Sequence, residues 1–224
     1  MTNQEADQFP FFKDRTDAGQ RLAKELNYLQ GERLAILSIL PGGVPVGLEI
    51  CRHFNCCLDL ACVHKLHLPG HPEIGFGAIG LDGMVNIDYE ITRKLGLTQR
   101  KTEEITQQTF DALRERTEIL ATNRPPQSLF FKTAIIVDDG LDSGYTMLTA
   151  IRAARKKSPK RILVAVPTAA HRGLERIKTE IKDIIALYTH PPFSPFSIEA
   201  SYQKWQSISN QEVKESLIKF WKDN

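Results

Sequence analysis

The chain has 224 residues, 42% of them apolar and 25% charged, the composition of a folded globular protein long enough for one sizeable core. Its 29 basic residues nearly balance 27 acidic ones, leaving a formal charge of +2, so charge gives no reason to expect nucleic acid or a membrane surface as partner. No apolar stretch approaches a membrane span, and the acidic start MTNQEADQFPFF lacks the order of a signal peptide, so a cytoplasmic protein is expected. In chain order, Ala18, Leu22, Leu26 and Leu29 recur at helical spacing and Gly31 ends the run. Asp14, Arg15 and Asp17 precede that face and read as caps and solvated charge. Leu34 to Leu40, LAILSIL, reads as a buried strand. Pro41-Gly42-Gly43 breaks it, and a helix is expected over Val44 to Phe54. A strand, a glycine pair and a helix can cradle an anion on free backbone N–H groups, although most such turns are only structural.

Cys51, Cys56, Cys57 and Cys62 contain no C-x-x-C pair and read as reduced, buried thiols rather than a zinc ribbon. Leu58 to Val63 reads as a third strand ending at His64-Lys65. His64, His67 and His71 surround a Pro-Gly turn and read as loop histidines, with a metal site as the alternative. Pro69 to Gly75 reads as a loop, and Gly77–Leu81 and Met84–Tyr89 flank Asp82-Gly83 as a hairpin. Thr98 to Ala121 carries a thin apolar stripe (Ile105, Leu113, Leu120), suited to lying on a surface or to a dimer contact. Asn123 to Gln127 reads as a linker.

The most informative stretch is Lys132 to Met147, KTAIIVDDGLDSGYTM. Ala134–Val137 reads as a buried strand ending in Asp138 and Asp139. A helix starts near Gly144 to Thr146. Ligands of open α/β sheets bind at the carboxyl ends of strands, which is where these acids fall. Backbone N–H groups and the hydroxyls of Ser143 and Thr146 suit a phosphate just beyond them. Two acids for sugar hydroxyls, or for a hard cation such as Mg2+, and a cradle for an anion together suit a sugar phosphate. Arg152, Arg155, Lys156 and Lys157 gather near the end of the following helix, as its dipole favours. Arg161–Val166 and Ile184–Tyr188 are further strands, with Pro167–Ala170 at the tip of the first. Strands alternating with helices imply a mostly parallel sheet. Tyr202, Trp205, Val213, Leu217 and Phe220 are expected to anchor the C-terminal segment.

VDDGLDSGYTM resembles the phosphoribosyl-pyrophosphate (PRPP) motif of type I phosphoribosyltransferases. FKDRTDAGQRLAKEL, GGVPVGLEI and LDLACVHKLHLPGHPEIGFGAIGLDG resemble one branch of them, a group of predicted bacterial and archaeal phosphoribosyltransferases. The four stretches occur in the right order over nearly the whole chain. The resemblance implies a type I phosphoribosyltransferase-like α/β fold: a mostly parallel twisted sheet flanked by helices, in one domain over 1–224. Its core would span about 32–190, with a small hood from the termini and a flexible hairpin loop that closes over the reacting centre. It also implies a homodimer.

The same resemblance assigns roles. Asp138 and Asp139 would grip the ribose hydroxyls and meet Mg2+ only indirectly, through ribose or water. Gly140, Leu141, Ser143, Gly144, Tyr145 and Thr146 would hold the 5-phosphate. Pro41, Gly42, Gly43 and Lys65 would take the pyrophosphate. Two departures stand out: relatives commonly carry Pro-Arg-Gly-Gly where this chain has Leu40-Pro41-Gly42-Gly43, and Arg-Lys where it has His64-Lys65. A guanidinium fork is a strong diphosphate ligand, so both losses should weaken pyrophosphate binding or leave it to another cation. For Lys65 the bland alternative is a solvated lysine.

DDGLDSGYT is similar to the E-D-I-I-D-T-G-K-T of hypoxanthine-guanine phosphoribosyltransferases. By that similarity Asp142 would be a general base near a purine ring. The other reading is a cap of the following helix. Phe193 or Phe196, in the HPPFSPF tail, would stack on the base or pack the tail onto the body, and Glu73 lies in the mobile loop. The implied partners are PRPP and a small nitrogenous base or nucleoside monophosphate. Three functions follow: a phosphoribosyltransferase, purine preferred; a non-catalytic regulatory protein that binds PRPP or a nucleotide; and, last, an acid-pair hydrolase, whose D-x-D-x-T pattern the strand ends lack.

Overall fold

The computed structural model describes residues 9–120 and 127–223. In chain order the elements are α1 (Arg15–Glu25), β1 (Leu34–Ile39), α2 (Gly43–Phe54), β2 (Cys57–Ala61), β3 (Val63–Leu68), β4 (His71–Gly80), β5 (Val85–Ile87), α3 (Tyr89–Lys94), α4 (Gln99–Leu120), β6 (Thr133–Val137), α5 (Tyr145–Arg155), β7 (Arg161–Ala170), α6 (His171–Lys178), β8 (Ile184–His190) and α7 (Asn210–Asp223). Five strands form a parallel sheet in the order β2-β1-β6-β7-β8; β3, β4 and β5 form a separate antiparallel sheet.

Every residue of β1 and β6 is buried, because helices cover both faces of the parallel sheet. Alternate residues therefore enter different cores. Ile36 and Val137 pack with Leu22, Leu26, Ile50, Leu217 and Phe220 on one face. Leu37 and Ile136 pack with Met147, Ile151, Val164 and Ile177 on the other. The C-terminal segment is anchored as its apolar residues predict, with Tyr202, Val213, Leu217 and Phe220 buried. Pairing of Ser38 with Val137 aligns the carboxyl ends of β1 and β6, while β7, paired to Val137 at Ala165, runs on to Ala170. The functional loops leave from that rim.

The second sheet departs from the sequence reading. The expected strand Leu58–Val63 is two strands in two sheets, divided at Cys62, so Lys65 lies within β3 instead of at a strand end. The expected loop Pro69–Gly75 shrinks to a turn, and His64, His67 and His71 sit on strands. Pairing of β3 with β4 buries Leu66 and Phe76 against Ile105 of α4. That long-range burial outweighs the weak strand propensity of a His-, Lys-, Pro- and Gly-rich stretch. Met84–Tyr89 stops short as a strand, because the Asp88 side chain accepts the Ile91 N–H and caps α3. Only Cys51 is fully buried; Cys57, at the start of the edge strand β2, is exposed. Of the expected linker only Gln127 is among the described residues, and its N–H donates to Asp59 Oδ2 at 3.0 Å. No helix among the described residues is long and apolar enough to cross a membrane.

Candidate active site

The end of β6 delivers two adjacent acids into opposite environments. Asp138 is half-buried and has no cation in contact among the described residues; its Oδ1 accepts the Asp139 N–H at 2.9 Å. Burial, then the charge of Asp139, hold its pKa well above the usual carboxylate range. Asp139 is 6% exposed, and its Oδ2 accepts from Arg15 Nε at 2.8 Å. Its carbonyl oxygen accepts from the Tyr202 hydroxyl at 2.6 Å. The Arg15 guanidinium lies 3.8 Å from the Trp205 ring centroid, and Nη1 donates to the Gln206 carbonyl at 2.9 Å. Both chain ends thus converge on Asp139.

Arg15 corrects the solvated-charge reading: its side chain is only 11% exposed. One local signal pointed that way. Arg15 stands three residues before Ala18 and seven before Leu22, on the face of α1 that is buried. Asp14 does cap α1, accepting the Asp17 N–H.

The loop after the acids is held from behind by β7 and α6. Leu141 is buried, its N–H donates to the Thr168 carbonyl at 2.9 Å, and its own carbonyl accepts the Ala170 N–H at 2.7 Å. It leaves no group for a phosphate, contrary to the role expected of it. The helix start lies at Gly144, whose φ of +80° is a left-handed conformation that glycine adopts without strain, and no side chain caps it. Asp142 therefore does not cap α5; Arg172 of α6 holds its carboxylate, with Nε at 3.0 Å and a second, shorter bond from Nη2. Arg176 donates to the Ser143 carbonyl and lies 3.9 Å from the Tyr145 ring centroid.

The Tyr145 ring is buried, and its hydroxyl donates to Asp88 Oδ2 at 2.7 Å. Burial, then that carboxylate, push the phenol's pKa up. Only its backbone remains for an anion. The Ser143 and Thr146 hydroxyls are half-buried and have no hydrogen-bond partner among the described residues. The first turn of α5 leaves its N–H groups open, as every helix start does, and they can take a phosphate.

The glycine pair at the start of α2 is required by packing. A Cβ at Gly42 would lie 2.0 Å from Asp139 Oδ2, and one at Gly43 would lie 2.5 Å from the Val137 carbonyl. The loop thus rests on the end of β6. Pro41 has no N–H to give, while the N–H groups of Gly42 and Gly43 have no acceptor among the described residues.

Other expected residues lie elsewhere. Lys65 Nζ donates to the carbonyls of Pro72 and Glu73 at 3.4 and 3.3 Å, across Gly75. Its ammonium is engaged by the hairpin tip. Glu73 is exposed and accepts from His71 Nδ1 at 3.1 Å. Phe193 is fully exposed, and Phe196 meets the His190 ring edge-on with 4.8 Å between centroids. The tail is packed instead by Ile198, which covers Gly140, and by Phe11, stacked on Tyr188 at 3.9 Å. His190 Nε2 is buried without a hydrogen-bond partner among the described residues.

Among the described residues no three His, Cys, Asp or Glu side chains gather to hold a metal. The donor set fits Mg2+ in its usual substrate-borne form. That ion keeps waters and takes one or two carboxylates plus phosphate oxygens, and Asp138 is a carboxylate with no cation in contact among the described residues.

The sequence model of the phosphoribosyl transferase domain family matches residues 12–195. The chain is 30% identical to protein TT1426 of Thermus thermophilus, with a TM-score of 0.74 over 93% of this chain and 98% of that one. It is 31% identical over 202 residues to the "Putative phosphoribosyl transferase Rv0571c" of Mycobacterium tuberculosis. That match covers 90% of this chain and 45% of the mycobacterial protein, so the chain spans about half the length of the curated relatives it matches. The family match runs through the glycine-pair loop, the acid pair and the anion cradle alike, and on it the chain belongs to the phosphoribosyltransferase family.

Proposed function

We propose that the chain transfers the 5-phosphoribosyl group of PRPP to a nitrogenous base, a purine by preference, and releases pyrophosphate. One observation carries the reading. Asp138, whose side chain contacts no cation among the described residues, follows the strand end on which the Gly42-Gly43 loop rests and begins the loop to α5, and both the glycine pair and the start of α5 keep backbone N–H groups without acceptors among those residues. A ribose with a phosphate at one end and a diphosphate at the other has that pattern.

In this reading the bond from ribose C1 to the pyrophosphate oxygen breaks as a ring nitrogen of the base attacks C1. Ser143, Gly144, Tyr145 and Thr146 bind the 5-phosphate through N–H and hydroxyl groups. Gly42 and Gly43 donate to the leaving pyrophosphate. Asp138 receives the ribose hydroxyls and steadies the positive ribose as the bond opens. Asp142, oriented by Arg172, takes the proton that the base loses. Bound Mg2+ supplies neutralisation of the leaving group. Phe193 or Phe196 stacks on the base, Glu73 belongs to the closing hairpin, and the chain acts as one domain within a homodimer. Water is excluded by closure, which limits hydrolysis of PRPP.

A second reading, a non-catalytic protein that binds PRPP or a nucleotide, is favoured by the Asp139–Arg15 pair, which occupies one acid of the motif. Calorimetric titration with PRPP and Mg2+, beside Ser143→Ala, tests the first. Binding that weakens roughly 10-fold in the variant, followed by pyrophosphate release with one of a panel of bases, supports it. Binding without release from any base selects the second reading, and no PRPP binding overturns the first.

A further inference from the structure

The Pro41-Gly42-Gly43 loop carries backbone donors and no cation, although a leaving diphosphate bears several negative charges. The cationic positions expected nearby do not supply one. Lys65 is bonded to the carbonyls of Pro72 and Glu73. Burial, then the nearby charge of Arg116, lowers the pKa of His64 and so disfavours its charged form. Arg15 differs. Its Nε bonds the Asp139 oxygen that leaves no room for a Cβ at Gly42, so the guanidinium and the loop share one carboxylate. The guanidinium lies on Trp205 with Nη1 on the Gln206 carbonyl, and Nη2 has no hydrogen-bond partner among the described residues.

We propose that Arg15 is the diphosphate-binding cation of this site, supplied from α1 in place of an arginine within the loop. The proposal rests on the phosphoribosyl reading above. Its ligand is a magnesium diphosphate, free or as the leaving group of PRPP. Asp139 and Trp205 hold the guanidinium before the ligand arrives, so little side-chain freedom is lost on binding. Arg15 keeps its bond to Asp139, and its remaining N–H donors turn to the diphosphate oxygens. Asp139 is then a positioning residue for the cation, and Asp138 is the acid left for ribose.

The test is calorimetric titration of the wild type, Arg15→Gln and Arg15→Lys with two probes, magnesium pyrophosphate and ribose 5-phosphate. Arg15→Gln should weaken pyrophosphate by roughly 10- to 100-fold, the loss expected for a charge-assisted bond, and leave ribose 5-phosphate within about twofold. Arg15→Lys should fall between, since it keeps the charge and lacks the fork. Equal pyrophosphate affinity in all three proteins overturns the proposal. So does an equal loss for both probes, which marks a structural role. A wild type that binds ribose 5-phosphate and not pyrophosphate overturns the Arg15 assignment while the 5-phosphate loop stands. A wild type that binds neither overturns the phosphoribosyl reading and the proposal together. Should Arg15→Gln fail to fold, Trp205→Leu removes the platform and keeps the charge; a loss of about threefold for pyrophosphate alone is expected, and no loss overturns the proposal.

Discussion

The two loops proposed to bind anions are built in different ways. The Gly140–Thr146 loop is continuous with the strand and helix that flank it, and most of its donors come from its own backbone. The Pro41–Gly43 loop rests on Asp139, which is held by Arg15 across 124 residues of sequence. A contiguous loop announces itself in sequence, whereas a cation brought from another helix does not. The acid pair sits at the seam. Asp138 contacts no cation among the described residues, and Asp139 belongs to the packed clasp of the N-terminal helix and the C-terminal segment.

Substitution of the acids separates the two sides most sharply. Asp138→Asn should lower turnover by roughly 10²- to 10³-fold, the scale of one electrostatic contact to a developing charge, with no loss of stability. Its effect on pH dependence has a definite sign. The folded-state pKa of Asp138 is raised, so its contribution to stability is full below the ordinary carboxylate range and is lost as pH rises through the raised value. Melting temperatures of wild type and Asp138→Asn, followed upward from about pH 4, near the ordinary carboxylate pKa of about 3.9, should diverge accordingly. The wild type loses more on the alkaline side, and parallel curves would refute the shift.

Asp139→Ala should cost about 3 kcal/mol in urea unfolding, the cost of stranding one partner of a buried ion pair. Turnover falls with it. A variant as stable as wild type would mean that the Arg15 clasp is not a structural unit, and the contrast between the acids would collapse. Gly42→Ala acts on the seam between loop and clasp. Its Cβ would meet the Asp139 carboxylate at 2.0 Å, so the loop must shift, at about 2 kcal/mol. Pyrophosphate binding should weaken more than binding of ribose 5-phosphate, and equal weakening would deny that the two loops are separately built. Tyr145→Phe is the smallest change. It removes the bond to Asp88, at about 1 kcal/mol, and should leave ribose 5-phosphate affinity unchanged. A large affinity loss would place the phenol in the ligand site.

The parallel sheet was legible because its strands are short apolar runs between helical repeats, and both faces of β1 and β6 are covered. The small antiparallel sheet was harder to read. His64, Lys65, His67, Pro72 and Gly75 hide a pairing that is decided by Leu66 and Phe76 burying themselves on α4. Around the site, the acids, the glycine pair and the helix start at Gly144 follow from local pattern. The partners of Arg15, Arg172, Arg176 and Tyr202 do not, since each lies at least 30 residues away.

Local sequence was enough to place two carboxylates and the start of a helix at one strand end, because strand, loop and helix start are set by neighbouring residues. Tertiary structure alone decided how those groups divide the work. It withdrew Leu141 into the core and turned Tyr145 toward Asp88. It also gave Asp139 a guanidinium while leaving Asp138 without one. The reason is physical: a charge takes its character from burial and from the groups within a few ångströms, and here those groups come from both ends of the chain.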